Sequence, residues 1–278
     1  MKGSTKGWTA LAVLLAAGAC AKQEAPPAAA AEPEKPKMEA AADARLKAMS
    51  ATLAAAQSFS FSTTARIERV NAKGEKVARE STSEFVVARP NRFWNKRVRD
   101  GAGGLGVYDG TTLSLQSDAE KVWSQVEMPP TLDEALDYAA EVYRFPMPVA
   151  DLLYSDPYGS FVADDTAAKS GGKESINGVD CEKVIVKTPV VEADIWIEAG
   201  DRALPCKLDI IYTEQDQKPH ATIVFSNWNL APAVDDKLFA YSAPAGYNKI
   251  RMVAEMSAEE EQLVRVGAAT PAPAEKSN

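Results

Sequence analysis

Apolar and polar residues alternate strictly on both sides of one turn near the middle of the chain. In Asp-Ile-Trp-Ile-Glu, Ile195 and Ile197 share one face, and Asp194, Trp196 and Glu198 share the other. After Ala-Gly-Asp-Arg-Ala-Leu-Pro, Leu208, Ile210 and Tyr212 again fall on one face. This period-two pattern around a Gly-Asp turn predicts two antiparallel strands with one buried face. Gly200 supplies a positive φ, and Pro205 limits where the second strand begins to pair. The same alternation runs through Phe59, Phe61, Thr63, Ala65 and Ile67, and returns over 77–87 after a turn containing Gly74. Arg89-Pro90-Asn91 breaks the chain, and 92–99 makes a third strand. Further strands are expected around Val107, around Leu113 and Leu115, and over 122–126, 181–187 and 220–228. Asp109-Gly110 and Asn177-Gly178 are tight-turn signals between them. The glycine cluster over 101–106 is expected to be a flexible hairpin tip, because no Gly-Lys-Ser/Thr ending follows to make a phosphate loop.

Helical spacing occurs in fewer places. Residues 39–57 are Ala-rich, with Leu46, Met49 and Leu53 on one face. Pro129-Pro130 stops the strands. Thr131 and Glu134 then have the form of a capping box, followed by Leu132, Ala135, Leu136 and Ala139 at helical spacing up to Tyr143. A second short helix is expected over 149–154, closed by Asp156-Pro157, and 163–173 reads as a loop or short strand. Two helices inside a run of strands need a surface to cover, and the concave face of a bent sheet supplies one. The fold class is therefore α+β, an antiparallel β-sheet with helices over its concave face.

The two ends read differently. Residues 1–19 have Lys2 and Lys6, a short apolar run and a small-residue exit, as a secretory signal does. Ala17-Gly18-Ala19 before Cys20 resembles a bacterial lipoprotein signal, which implies acylation of Cys20, although Ala17 stands where leucine is usual. Plain secretion, with cleavage after Ala19 or Ala21, is the alternative. By the sorting pattern of lipoproteins, Ala21 after the cysteine points to the outer membrane. Residues 20–38 are Ala, Pro, Glu and Lys, a disordered tether. Extended at about 3.1 Å per residue, it would reach roughly 50 Å. The folded domain is expected over 39–253, with a disordered or weakly helical tail over 254–278.

Composition narrows the chemistry. The 278 residues carry 31 Lys and Arg against 39 Asp and Glu, a formal charge of −8. An acidic domain is a poor partner for nucleic acid. One histidine and three cysteines leave little for a metal site, so no metal or cofactor is expected. Arg92, Lys96, Arg97 and Arg99 form the most basic stretch, either a solvated strand face or a contact for an anionic lipid head group. Cys181 and Cys206 fall on strands expected to be adjacent, as a disulfide of a secreted domain or as two separate buried thiols. A hydrolase is not expected. His220 stands alone, no Gly-x-Ser-x-Gly elbow occurs, and the pairs Asp164-Asp165 and Asp235-Asp236 sit in turns.

Several motifs together carry a resemblance. They are Tyr108-Asp109-Gly110, Pro129-Pro130-Thr131-Leu132, Leu152 to Pro157, Ile176 to Cys181, Leu204 to Leu208, Asn227-Trp228-Asn229 and Phe239 to Tyr247. Over about residues 45–250 this order resembles the LolA/LolB-type half-barrel of bacterial lipoprotein carriers. Within that group it is most similar to a family of predicted periplasmic proteins of unknown function. The resemblance implies a curved antiparallel β-sheet, an open half-barrel capped by α-helices, with an apolar cavity between them, and it implies no known substrate. The ligand expected in such a cavity is an acyl chain, lipid or lipoprotein. Candidate liners are Trp94, Trp123, Leu132, Leu136, Met147, Leu153 and Trp196, each of which could equally be ordinary core. The alternative is an envelope protein–protein or stress-sensing module on the same fold without a lipid ligand.

Overall fold

The computed structural model describes residues 37–252 except 72 and 146. The signal segment, Cys20, most of the tether and the tail lie outside the described residues. Among the described residues no helix is long and apolar enough to cross a membrane.

The element order is α1 (Ala40–Ala55), β1 (Ser58–Val70), β2 (Lys76–Ala88), β3 (Arg92–Arg99), β4 (Ala102–Tyr108), β5 (Thr112–Ser117) and β6 (Val122–Glu127). Then come α2 (Leu132–Glu141), a 3-10 turn Ala150–Leu152, α3 (Pro157–Phe161), β7 (Ala167–Ile176) and β8 (Val179–Lys187). The chain continues with β9 (Val191–Glu198), β10 (Pro205–Tyr212), β11 (His220–Asn229), a 3-10 turn Asp236–Phe239 and β12 (Asn248–Lys249). All twelve strands form one curved, unclosed sheet, ordered β12-β6-β5-β4-β3-β2-β1-β11-β10-β9-β8-β7. Every pairing is antiparallel except the two-residue β12 against β6.

The opening hairpin forms as its alternation predicts. Ile195 pairs with Leu208 and Ala193 with Ile210, while Gly200 turns the chain at φ 93°. Asn177 and Gly178 take φ 51° and 80°, the double positive-φ turn that this dipeptide favours. The Asp109 carboxylate accepts from the amides of Thr111 and Thr112 at 2.9 and 2.8 Å, fixing the β4–β5 turn.

Two local expectations are corrected and an open one is decided. The glycine cluster is not a loose tip: Asp100 and Gly101 alone make the turn, at φ 51° and 78°. Gly103, Gly104 and Gly106 lie inside β4, paired to β3 and β5. The expected helix over 149–154 shrinks to a 3-10 turn, and Pro157 begins a helix rather than closing one. Proline fits there because its missing N–H is unpaired in a first helical turn anyway. Of the two readings of the polar 163–173 stretch the strand is the one found, and it is longer than expected: β7 runs to Ile176 at the sheet edge, with a bulge between Ser170 and Lys173.

The concave face carries the main core. On β1 it presents Phe59, Phe61, Ala65 and Ile67, on β9 Ile195 and Ile197, on β10 Leu208, and on β11 Ile223 and Phe225. Leu46, Met49 and Leu53 of α1 are fully buried against this face. Arg45 pins the helix across the sheet: its guanidinium donates to the carbonyls of Glu198 and Gly200 and pairs with Glu182 at 3.2 Å. Glu39 accepts from the Ser170 amide at 2.7 Å, and Ser50 from the Tyr158 amide at 2.9 Å. The α1 end of the groove is therefore closed by packing and by polar ties.

Candidate functional site: the hollow beneath the second helix

The α2 end is built differently. Thr131 accepts from the Glu134 amide at 3.3 Å, as a capping box requires, but the Glu134 carboxylate accepts from the Thr131 hydroxyl at 2.7 Å, where the box expects the Thr131 backbone N–H. Leu132 donates its amide to Pro90 at 3.0 Å, and the Asp133 carboxylate accepts from Ser155. Asp137 accepts from the Tyr154 hydroxyl at 2.7 Å. The Tyr108 hydroxyl donates to the Pro129 carbonyl; burial, with Asp109 and Glu134 nearby, pushes its pKa up to about 12. Arg89 donates to the carbonyls of Leu153 and Tyr154 at 3.1 and 2.7 Å. These bonds fix the start of α2 and the segment facing it. The helix body buries Leu132, Ala135 and Leu136 in the same apolar cluster as Phe93 and Tyr108.

Beneath it lies an apolar cavity of about 320 Å³. Its roof is Leu132, Leu136, Ala139 and Met147, and its floor includes Phe93, Gly104, Gly106, Leu113 and Leu115. Ile250 and Met252 also border it. The glycines explain the hollow. A Cβ on Gly106 would meet Leu115 at 3.5 Å and Phe93 at 3.9 Å, so larger side chains there would project into this space. Glycine weakens a strand, so a pair of them on the groove face costs stability and leaves room. A second cavity of about 530 Å³ shares Leu136, Ala139, Phe145 and Met147 with the first. It continues past Ala150, Asp151 and Tyr154 to Ile210 and Tyr212. Both volumes fall in the range of roughly 300–1,000 Å³ usual for small-ligand sites. Burial pushes the Asp151 carboxyl up to about 6.

The candidate liners divide. Leu132, Leu136 and Met147 border the first cavity. Trp123 borders it too, but its ring also stands 5.9 Å from Tyr241 and 4.8 Å from the Lys249 ammonium. Leu153 is fully buried in the main core and borders neither cavity. Trp94 lies on the opposite face, in a small cluster with Ala88, Val107 and Phe239. Trp196 is also on that convex face, packed with Cys181 and Cys206. It donates its indole N–H to Glu174 at 2.8 Å, with Lys207 and Lys183 ammonium groups 4.3 and 5.2 Å from its ring. Strand parity already told Trp196 from Ile195 and Ile197, and large aromatic area alone did not make it a liner. The sequence reading missed Gly104 and Gly106, for which the only signal was their clustering, and Leu113, Leu115 and Phe145.

Cys181 and Cys206 are bonded to each other, with Cα atoms 6.7 Å apart. Their strands, β8 and β10, are not neighbours: β9 lies between them. The bridge therefore staples three strands on the convex face. His220 sits 2.5 Å from Asp209 on that same face. The Thr222 hydroxyl donates to the same Asp209 at 2.8 Å. Among the described residues no cluster of ligating side chains could hold a metal ion.

Sheet, cap and hollow together define an open half-barrel with an apolar groove under its second helix. The chain belongs to the family described as Predicted periplasmic protein (DUF2092), which matches residues 42–253. This is the kind of family that its motifs resembled, and its description carries no activity. Among solved structures it is similar to an uncharacterized conserved protein from Thermus thermophilus, at 9% identity and TM-score 0.45, covering 76% of this chain and 99% of that one. It is also similar to lipoprotein LppX from Mycobacterium tuberculosis, at 14% identity and TM-score 0.40, covering 70% and 98%. A LolA superfamily protein, NE2245 from Nitrosomonas europaea, is similar at 10% identity and TM-score 0.31, covering 71% and 96%. No curated protein sequence matches.

Proposed function

We propose that this protein holds an acyl chain or other apolar ligand in the groove beneath α2. Its place would be the periplasmic face of the outer membrane, held there through an acylated Cys20. One observation carries the reading: the glycine-floored cavity adjoins a second one through shared Leu136, Ala139, Phe145 and Met147. An interior packed for stability alone would be filled, because voids forfeit contact energy. The family's periplasmic description supports the compartment, and the lipobox-like Ala17 to Cys20 supports the anchor. A chain fixed to the membrane suits a receptor or acceptor better than a long-range shuttle.

The test is displacement of a fluorescent fatty acid from the protein and from Gly106→Leu. The wild type should bind at micromolar concentrations. The variant should lose at least tenfold in affinity, because its side chain occupies the hollow, while melting within a few degrees of the wild type. Equal binding by both would sink the assignment. No binding by either would favour a protein–protein module on the same fold.

A further inference from the structure

Toward the open rim of the concave face the apolar floor gives way to arginine. Arg69 on β1, Arg79 on β2, and Arg97 and Arg99 on β3 share the face of Ile67 and Phe93. The register sets this: Ile67 pairs with Arg79, Ser81 with Arg99 and Ser83 with Arg97. Arg69, Arg79 and Arg99 line a third cavity of about 330 Å³. Arg69 also borders the second apolar cavity, and Arg97 the first. Two of the four, Arg69 and Arg97, thus border the apolar spaces, and Arg69 links them to Arg79 and Arg99.

Their charge is poorly answered. Among the described residues, Asp100 pairs with Arg79 at 2.8 Å, and Arg69, Arg97 and Arg99 make no ion pair. Nearby Glu68 is held by Arg66 and Lys76 at 3.1 Å each. Glu120 borders the first cavity beside Arg97 without pairing to it, and Asp151 borders the second. Arg97 and Arg99 are half-buried. Burial, then Arg99 and Arg69, lowers the Arg97 pKa; burial, then Arg69 and Arg79, lowers that of Arg99. Guanidinium keeps its proton regardless, and Asp100 offsets only part of the repulsion, at Arg79 and Arg99. Its forked donors match an oxyanion bidentately.

We propose that Arg69, Arg79, Arg97 and Arg99 bind a phosphate-type oxyanion, the head group of an amphiphile whose chain lies in the adjoining cavities. This rests on the acyl-site reading for the chain, and adds the ligand's charge. The experiment compares dodecyl phosphate with monododecanoyl glycerol, below their micelle concentrations, on the full chain. Dodecyl phosphate should bind at least tenfold tighter, with a preference that shrinks as salt rises. The Arg79→Gln, Arg99→Gln double variant, whose side chains border neither apolar cavity, should lose most of that preference and bind the glycerol ester unchanged. The corresponding Lys double variant should keep at least threefold. Thermal melting checks folding, and removing like charges should not lower Tm. Equal wild-type affinities for the two probes, or an undiminished preference in the Gln variant, would overturn the head-group site alone. If neither probe binds, the acyl reading falls and this proposal falls with it. Inorganic phosphate competing as well as dodecyl phosphate would overturn the lipid source and leave a free-anion site.

Discussion

Two helices lie over the same sheet, and the cavity of about 320 Å³ is bordered by one of them and not by the other. α1 presents Leu46, Met49 and Leu53 to the concave face, all fully buried, and Arg45 ties it to the β9–β10 turn. α2 presents Leu132, Leu136 and Ala139, held at its start by capping and by Asp133, and its body roofs a cavity. Both helices bury an apolar stripe, so burial alone does not separate them. What separates them is the floor. Under α1 the strands offer Ile195, Leu208 and Ile223, which fill the space. Under α2, β4 offers Gly104 and Gly106. A groove of this kind is made by omitting side chains from a strand, more than by adding special ones.

The sharpest way to break the comparison is to truncate one leucine under each helix. Leu53→Ala should destabilise by about 3–5 kcal/mol in chemical denaturation, the cost of a cavity in a filled core. Leu136→Ala should cost about 1–2 kcal/mol, because its neighbours already border a void. Equal losses would mean that both halves are packed alike. Next in size is the convex staple. Removing the Cys181–Cys206 bridge, across a sequence separation of 25, should cost about 3 kcal/mol by loop entropy. Comparing a double alanine variant with the wild type under oxidising conditions measures it. The loss should appear in global stability with chain binding unchanged, since the bridge lies on the face away from the groove.

Asp151 gives a smaller, pH-dependent effect in the second cavity. Its carboxyl titrates near pH 6 in the fold instead of at its ordinary 3.8. The folded state therefore holds the proton more tightly. Stability is full below pH 3.8 and declines as pH rises through about 6. The penalty at neutral pH is up to about 3 kcal/mol, less where water reaches the group. Asp151→Asn should stabilise the protein at pH 7.5 and leave it unchanged at pH 3.5, read from melting curves at both. A stabilisation independent of pH would show that the carboxyl's charge is not the cause.

Much of the fold was legible because a sheet writes itself in period two. Ile195, Ile197, Leu208 and Ile210 named a buried face before any coordinates, and Asn177-Gly178 and Asp109-Gly110 named the turns. The site was less legible for three physical reasons. Alternation tells two faces apart but does not say which is concave, so Trp94 and Trp196 passed for liners while covering the convex side. Glycine has low strand propensity, so β4 read as a loop and its missing side chains went uncounted. Register decides which basic residues meet: Arg97 and Arg99 stood out along the chain, but Arg69 and Arg79 join them only across β1, β2 and β3.

The claim that matters most is that the space under α2 holds an apolar chain. A native mass spectrum of the protein, extracted from its own envelope under mild conditions, tests this directly. The account predicts a population heavier than the processed chain by the mass of one acyl-bearing molecule, displaced by added fatty acid and absent from Gly106→Leu. A single peak at the mass of the protein alone, in wild type and variant equally, would contradict it.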